Sequence, residues 1–187
     1  MHVIENQIRY GLTARLLHAL LGVALVGVFA LGLYMADLPF SPQRLKLYSW
    51  HKWAGVVILV LSFVRLMWRL SHRPPALPAA IEQAMPAWQR WAHHGTHVGM
   101  YVLFFAVPLA GWSYSSAAGF PVVLFGVWPL PDFVPVSEGL AEALKLVHKF
   151  AAYGLAGLVL LHVAGAFKHQ LIDRDGLIGR MGFGRGG

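Results

Sequence analysis

Uncharged apolar runs alternate along this chain with short polar or proline-rich segments, and the length of each run predicts what it forms. Leu16 to Ala36 carries no formal charge. At 1.5 Å per residue it is long enough to cross a hydrocarbon core of roughly 30 Å. A cleaved secretory leader is the competing reading, since Arg9 and Arg15 resemble its basic start. Its apolar stretch would normally be about 7–15 residues, shorter than this one, so a retained helix is expected. The second run, Trp53 to Leu70, is interrupted by Arg65 and becomes long enough only when extended back through His51 to Leu47. Arg65 and Arg69 then lie near its end, where they can snorkel. A third helix is expected over Trp88 to Tyr114, kinked at Pro108, and a fourth over Leu140 to Ile172.

Between these runs, Pro74, Pro75, Pro78 and Pro86 mark a loop. Pro121, Pro129, Pro131 and Pro135 make residues 119–135 a re-entrant or interfacial loop rather than a fifth span. The glycine-rich end from Gly179 to Gly187 is expected to be disordered. No internal repeat is visible. The expected architecture is therefore all-α, an integral membrane four-helix bundle over residues 16–172. Residues 1–15 form a short N-terminal segment and 173–187 a C-terminal tail.

Composition narrows the chemistry. Hydrophobic residues make up 57% of the 187, charged ones 12%, and mean hydropathy is +0.58, so apolar side chains must face lipid as well as one another. Cysteine is absent, which excludes disulfides, iron–sulfur clusters and thiolate ligation. Metal binding falls to histidine, carboxylate, methionine or backbone, and there are 10 histidines against 8 carboxylates. The net charge of +7 is scattered between apolar runs, as in membrane flanks, rather than gathered in a nucleic-acid-binding patch.

Four spans put both termini on one side. Arg9, Arg15, Arg65, Arg69, Arg73, Arg90, Lys168, Arg174, Arg180 and Arg185 flank that side; Arg44, Lys46, Lys52, Lys145 and Lys149 flank the other. The excess places both termini in the cytoplasm.

Ionisable side chains inside a membrane are costly and mark function. His148 and His162 share the fourth helix, and their spacing brings both imidazoles to one face, about 21 Å apart along the axis. One metal cannot take both, whereas two stacked metals can take one each. Helix direction puts His18 at the depth of His162 and His51 at the depth of His148. Those are the pairs that can hold a bis-imidazole iron, whose two nitrogens lie roughly 4 Å apart. Gly22, Gly55, Gly154, Gly157 and Gly165 could admit a flat macrocycle, or could serve ordinary helix packing. His2 and His72 are expected to be solvated. His93 and His97 are helical neighbours that could replace a ligand, contact a haem carboxylate or sit among headgroups, with His94 turned away. His169, seven residues after His162, is either a headgroup residue or a contact for a quinone.

The segments RYGLTARLLHALLG, LYSWHKWAGVVILVLSFVRLMWRL, WAHHGTHVGMYVLFFAVPLAG and LVHKFAAYGLAGLVLLHVAGAFKHQ resemble prokaryotic cytochrome b561 over about residues 8–175. The resemblance implies two haems b, one on His18 and His162 and the other on His51 and His148, in agreement with the depth argument. It also implies superoxide oxidase activity, in which superoxide is oxidised to dioxygen and ubiquinone reduced. On that reading Arg44, Lys46, Lys52, Lys145 and Lys149 form a positive funnel for the anion, though lipid-headgroup anchoring explains them equally well. Two further readings stand beside it. One is a haem-bearing anchor passing electrons between quinone and a soluble redox partner; the other is a transporter using histidines as proton relays. Whether copies of the chain associate is left open.

Overall fold

The computed structural model describes residues 9–76, 81, 83 and 85–182. Four helices dominate: α1 (Leu12–Ala36), α2 (Pro42–Ser71), α3 (Ala87–Ala117) and α4 (Glu138–Lys168). All four are long and apolar enough to cross a membrane, and the protein is an integral membrane four-helix bundle. Their apolar outer faces fit lipid rather than water: Val23 is 75% exposed and Leu160 70%.

α2 and α4 outrun the uncharged stretches because side-chain caps, not charge, set their starts. Ser41 Oγ accepts from Arg44 N at 3.2 Å with Pro42 in the first turn, so α2 begins five residues before Leu47. Ser137 Oγ caps α4 through Leu140 N, with Glu138 in the first turn. Pro108 lies inside α3, which continues through it.

Close packing follows chain order, α1 on α2, α2 on α3, and most extensively α3 on α4. Midway along the bundle, Met100 and Phe104 of α3 pack on Leu155 of α4, with Leu25 of α1 against them. Lipid gives helices no hydrophobic reason to associate, so close approach by small residues matters more. At Gly99 a side chain would meet Leu158 Cδ1 at 2.9 Å, which is how tightly α3 seats on α4.

The end holding the α1–α2 loop and the α3–α4 connection is here called the hairpin end. The α3–α4 connection holds a two-stranded antiparallel hairpin, β1 (Val123–Leu124) and β2 (Trp128–Pro129), in place of a fifth span. Phe125 and Gly126 turn it with φ of 53° and 75°. A left-handed phenylalanine is strained; its ring lies 5.5 Å from that of Trp53, whose indole donates to Val123 O at 2.7 Å.

At the opposite, terminal end, the glycine-rich tail departs from expectation. Residues 179–182 are ordered, while 183–187 fall outside the described residues, as do His2 and Pro78. Order comes from Arg180, in a 3-10 turn (Leu177–Arg180), which is buried and donates to the carbonyls of Pro75 and Ala76 at 2.9 and 2.8 Å. Tyr10 N donates to Arg180 O, and Arg15 to Gly182 O at 2.7 Å. Two guanidiniums, of Arg180 and Arg15, with the Arg180 carbonyl, thus tie the tail, the α2–α3 loop and the segment before α1 together.

Hydrogen bonds from a charged donor contribute about 1.5–3 kcal/mol. Arg180→Ala is therefore expected to speed amide exchange in peptides covering 9–15 and 177–182 by about 10- to 100-fold, with the middle of α4 unaffected. Exchange unchanged in both peptides would mean that the tail is held by something else.

Candidate functional site

The four histidines singled out by depth meet in the pairs expected. The rings of His18 (α1) and His162 (α4) have centres 5.9 Å apart and planes at 76°. Those of His51 (α2) and His148 (α4) are 6.1 Å apart at 88°. A metal–nitrogen bond of roughly 2.0 Å, plus roughly 1.1 Å from nitrogen to ring centre, puts two axial imidazoles about 6.2 Å centre to centre. Both separations fit one iron between two rings.

Side-chain chemistry agrees. His148 Nδ1 donates to the carbonyl of Val107 at 2.9 Å. The proton is thereby held on Nδ1 and the lone pair left on Nε2, the tautomer a metal ligand needs. His51 Nδ1 is buried and, among the described residues, has no hydrogen-bond partner. A cavity of about 460 Å³ adjoins this pair, a volume within the range of small-molecule and cofactor sites. His51 and His148 line it together with Met35, Val56, Leu59 and Pro108, and Arg44, Tyr48, Lys52, Trp112 and Ser115 are among those that supply its polar groups.

Gly55, one of the glycines singled out by sequence, lines the cavity, and two further glycines stand against ligand-type rings. Gly22, Gly55, Gly157 and Gly165 have nothing within 4 Å of where a Cβ would stand, and Gly154 only Leu103 at 3.8 Å. Gly32 on α1 and Gly111 on α3 are the ones seated against ligand-type rings. A Cβ there would lie 3.0 Å from His51 Cε1 and 2.9 Å from His148 Nδ1 respectively.

At the terminal end, His97 crowds the first pair. Its ring centre is 5.0 Å from that of His162 and 4.4 Å from that of His93, and its Nδ1 donates to His93 O at 2.7 Å. Five ångströms is too short for a metal between two rings, so His18 suits His162 better. Arg65 does not simply snorkel: Nη1 is buried and, among the described residues, has no hydrogen-bond acceptor. It lies within electrostatic reach of His18, His97 and His162. His94 bonds to Arg90 O, and His72 is exposed, stacked on Trp68.

His169 sits where α4 loosens into a π-helical turn (His169–Asp173), a form frequent at functional sites. Its Nδ1 lies 2.5 Å from Asp175 Oδ2 and 3.2 Å from Asp173 Oδ2, and its Nε2 is 3.5 Å from Gln89 Nε2. Neither aspartate had stood out in the sequence. Lys168 bonds Asp173 at 2.6 Å.

The five cations of the hairpin end separate. Arg44 and Lys52 line the cavity. Lys46 lies over the Trp50 ring at 5.1 Å, Lys145 pairs with Glu142 at 3.3 Å, and Lys149 is exposed; none of these three lines it.

The chain matches the family described as prokaryotic cytochrome b561 over residues 9–184. Among curated proteins it is similar to cytochrome b561 homolog 2 of Escherichia coli (strain K12), with 30% identity over 175 residues, 92% of this chain and 90% of the relative. Cytochrome b561 homolog 1 of the same organism is 30% identical over 141 residues, covering 75% and 77%. A Yersinia pestis protein named "Probable superoxide oxidase CybB" is 27% identical over 167 residues, covering 83% and 92%.

Overpacking of a tight contact costs about 1–3 kcal/mol. Gly111→Ala is expected to lower unfolding stability in detergent by about that much, because the new methyl must displace the His148 ring. Gly27, with nothing within 4 Å, should tolerate alanine with a change under about 1 kcal/mol. Equal tolerance at both positions would show that the ring is not held there.

Proposed function

This chain belongs to the prokaryotic cytochrome b561 family, and from that premise we propose that it is a di-haem superoxide oxidase that reduces a quinone. The coarser statement is already secure: it is a bacterial membrane electron-transfer protein of a haem b-binding family. What carries the finer reading is the pair of crossed imidazole couples, 5.9 and 6.1 Å between ring centres, on one face of α4.

In this reading His18 and His162 ligate one haem, and His51 and His148 the other. Bis-imidazole haem b supplies one-electron outer-sphere transfer and offers no open metal position for oxygen. Val107 fixes the tautomer of His148, while Gly32 and Gly111 let two of the rings approach neighbouring helices. The balance is two superoxide anions, one quinone and two protons giving two dioxygen molecules and one quinol. In this reading the hairpin end faces outward and the termini lie in the cytoplasm, which the excess of cations on the terminal side supports. Arg44, Lys46, Lys52, Lys145 and Lys149 make the outer end attractive to a monoanion. At the inner end Asp175 orients His169, whose other nitrogen faces Gln89; this pair binds a quinone carbonyl and conveys protons to it.

Loss of haem by pairs is the expected outcome of alanine replacement. His18→Ala or His162→Ala should each remove one haem, and His51→Ala or His148→Ala the other, counted in reduced-minus-oxidised spectra. A haem lost from His97→Ala but kept in His18→Ala would reassign the ligand.

Stopped-flow mixing tests the two ends. Reduction by superoxide should slow as salt shortens the Debye length from about 10 Å at 0.1 M to 3 Å at 1 M, and slow further in Lys149→Glu. His169→Ala should slow reoxidation by quinone alone, with both haems kept. Reduction no faster than that of free haem, unaffected by salt, together with a co-purified protein, would instead make the chain an electron-carrying anchor subunit.

A further inference from the structure

The cavity beside His51 and His148 has an unbalanced charge. Arg44 and Lys52 line it, and no aspartate or glutamate does. Lys52 is half-buried, and its ammonium donates to three neutral oxygens: Ser115 Oγ at 3.3 Å, Phe120 O at 3.2 Å and Pro121 O at 3.3 Å. All three exceed the roughly 2.7–2.9 Å of a bond between an ammonium and an anionic oxygen. Asp132 is the carboxylate within electrostatic reach of Lys52, yet among the described residues Lys52 makes no ion pair. Arg44 is likewise met by a neutral partner, Tyr48, whose hydroxyl is 3.3 Å from Nη2 and whose ring lies 5.4 Å from the guanidinium carbon. A third donor joins them, because Trp112 lines the cavity and its indole Nε1 is buried without an acceptor.

Half-buried cations held by neutral oxygens alone are costly, and the cost falls when an anion arrives. Position decides which anion. The two cations and the indole share one cavity with the His51–His148 pair, whereas Lys46, Lys145 and Lys149 lie outside it. Haem b carries two carboxylates on one edge, and the cavity offers two cations.

We propose that Arg44, Lys52 and Trp112 form the receptor for the two carboxylates of the haem at the His51–His148 pair, turning its acidic edge towards the start of α2 and the hairpin connection. This rests on the di-haem reading above and adds an orientation to it. Ser115, Phe120 and Pro121 then serve to hold Lys52 at the cavity wall. Arg44 and Lys52 are then partly compensated in the holoprotein, so the three outer lysines carry the larger share of the attraction for a small anion.

Potentiometric titration of the purified holoprotein between about pH 6 and 8 tests this. Lys52→Gln retains a hydrogen-bond donor for Ser115, Phe120 and Pro121 but removes the charge. A positive charge beside the acidic edge favours the reduced state, so Lys52→Gln and Arg44→Gln should each lower one of the two midpoint potentials. The expected change is about three- to tenfold in the reduction equilibrium, up to about 59 mV for a one-electron couple. The same potential should gain a pH dependence, and Lys52→Arg should behave as the unaltered protein. If Lys52→Gln instead loses one haem and Lys52→Arg restores it, the proposal stands.

It is overturned if both glutamine variants keep two haems at unchanged potentials, including the case where only salt-sensitive reduction by superoxide slows. It is also overturned if Lys52→Gln and Lys52→Arg lose haem alike, since Lys52 would then be structural. A protein without haem, or one whose haem count survives His51→Ala and His148→Ala, would overturn the underlying reading instead.

Discussion

Two imidazoles from different helices must stand one metal's width apart, and this chain meets that requirement twice on a single helix face. A ring centre displaced by an ångström no longer fits, so the helices have little freedom in rotation or translation. α4 supplies one ring to each pair, and α1 and α2 supply the others. α3 contributes neither, yet it sets the position of His148 through Val107 O and the bare backbone at Gly111. It also seats α4 through Gly99 on Leu158 and through the Met100–Phe104–Leu155 cluster. In lipid, where hydrophobic attraction between helices is absent, such contacts are what hold the phase of the helices.

The spans were legible in the sequence because uncharged length is a one-dimensional property. Pairing was legible because residues fourteen apart share a helix face, and because alternating helix direction assigns depth. Contacts that depend on the rotation of one helix against another were not. Gly32 and Gly111 look no different in sequence from Gly22 or Gly55, and only packing shows which pair meets a ring. Arg44 and Lys46 are two positions apart and so point about 200° away from each other on a helix; one lines the cavity and the other covers Trp50. Glycine content misled over residues 179–182, because Arg180 and Arg15 tie them to segments far away in the chain.

The two ends solve different problems with similar residues. At the hairpin end the histidine pair is fenced by helices and capped by a loop that Lys52 and Trp53 hold in place. At the terminal end His93 and His97 crowd the pair, and a buried Arg65 nitrogen lies near it. Histidines beside a metal pair compete for the metal unless distance excludes them. The 5.0 Å between the His97 and His162 ring centres is shorter than a bridging iron permits, which favours His18 as the partner of His162. A polar, proton-exchanging surrounding suits an end where a two-electron acceptor must gain protons.

Geometry also sets a condition on that donor. In the proposed orientation an electron moves inward over about 21 Å of a core of roughly 30 Å, about 0.7 of its thickness. A unit charge crossing the whole core changes energy by about 2.3 kcal/mol per 100 mV, so each electron entering a negative interior costs about 1.6 kcal/mol per 100 mV. Protons for the quinone come from the same side and relieve none of that cost. A weak reductant would be held back by the resting potential of the cell, whereas a strong one-electron reductant is not. The same arrangement makes the reaction charge-separating, since negative charge moves inward and the protons consumed never cross. On the proposed reading, an outward-facing entry with cations around it and an inner end rich in proton-exchanging groups favour a donor that is anionic and strongly reducing, conditions that superoxide meets.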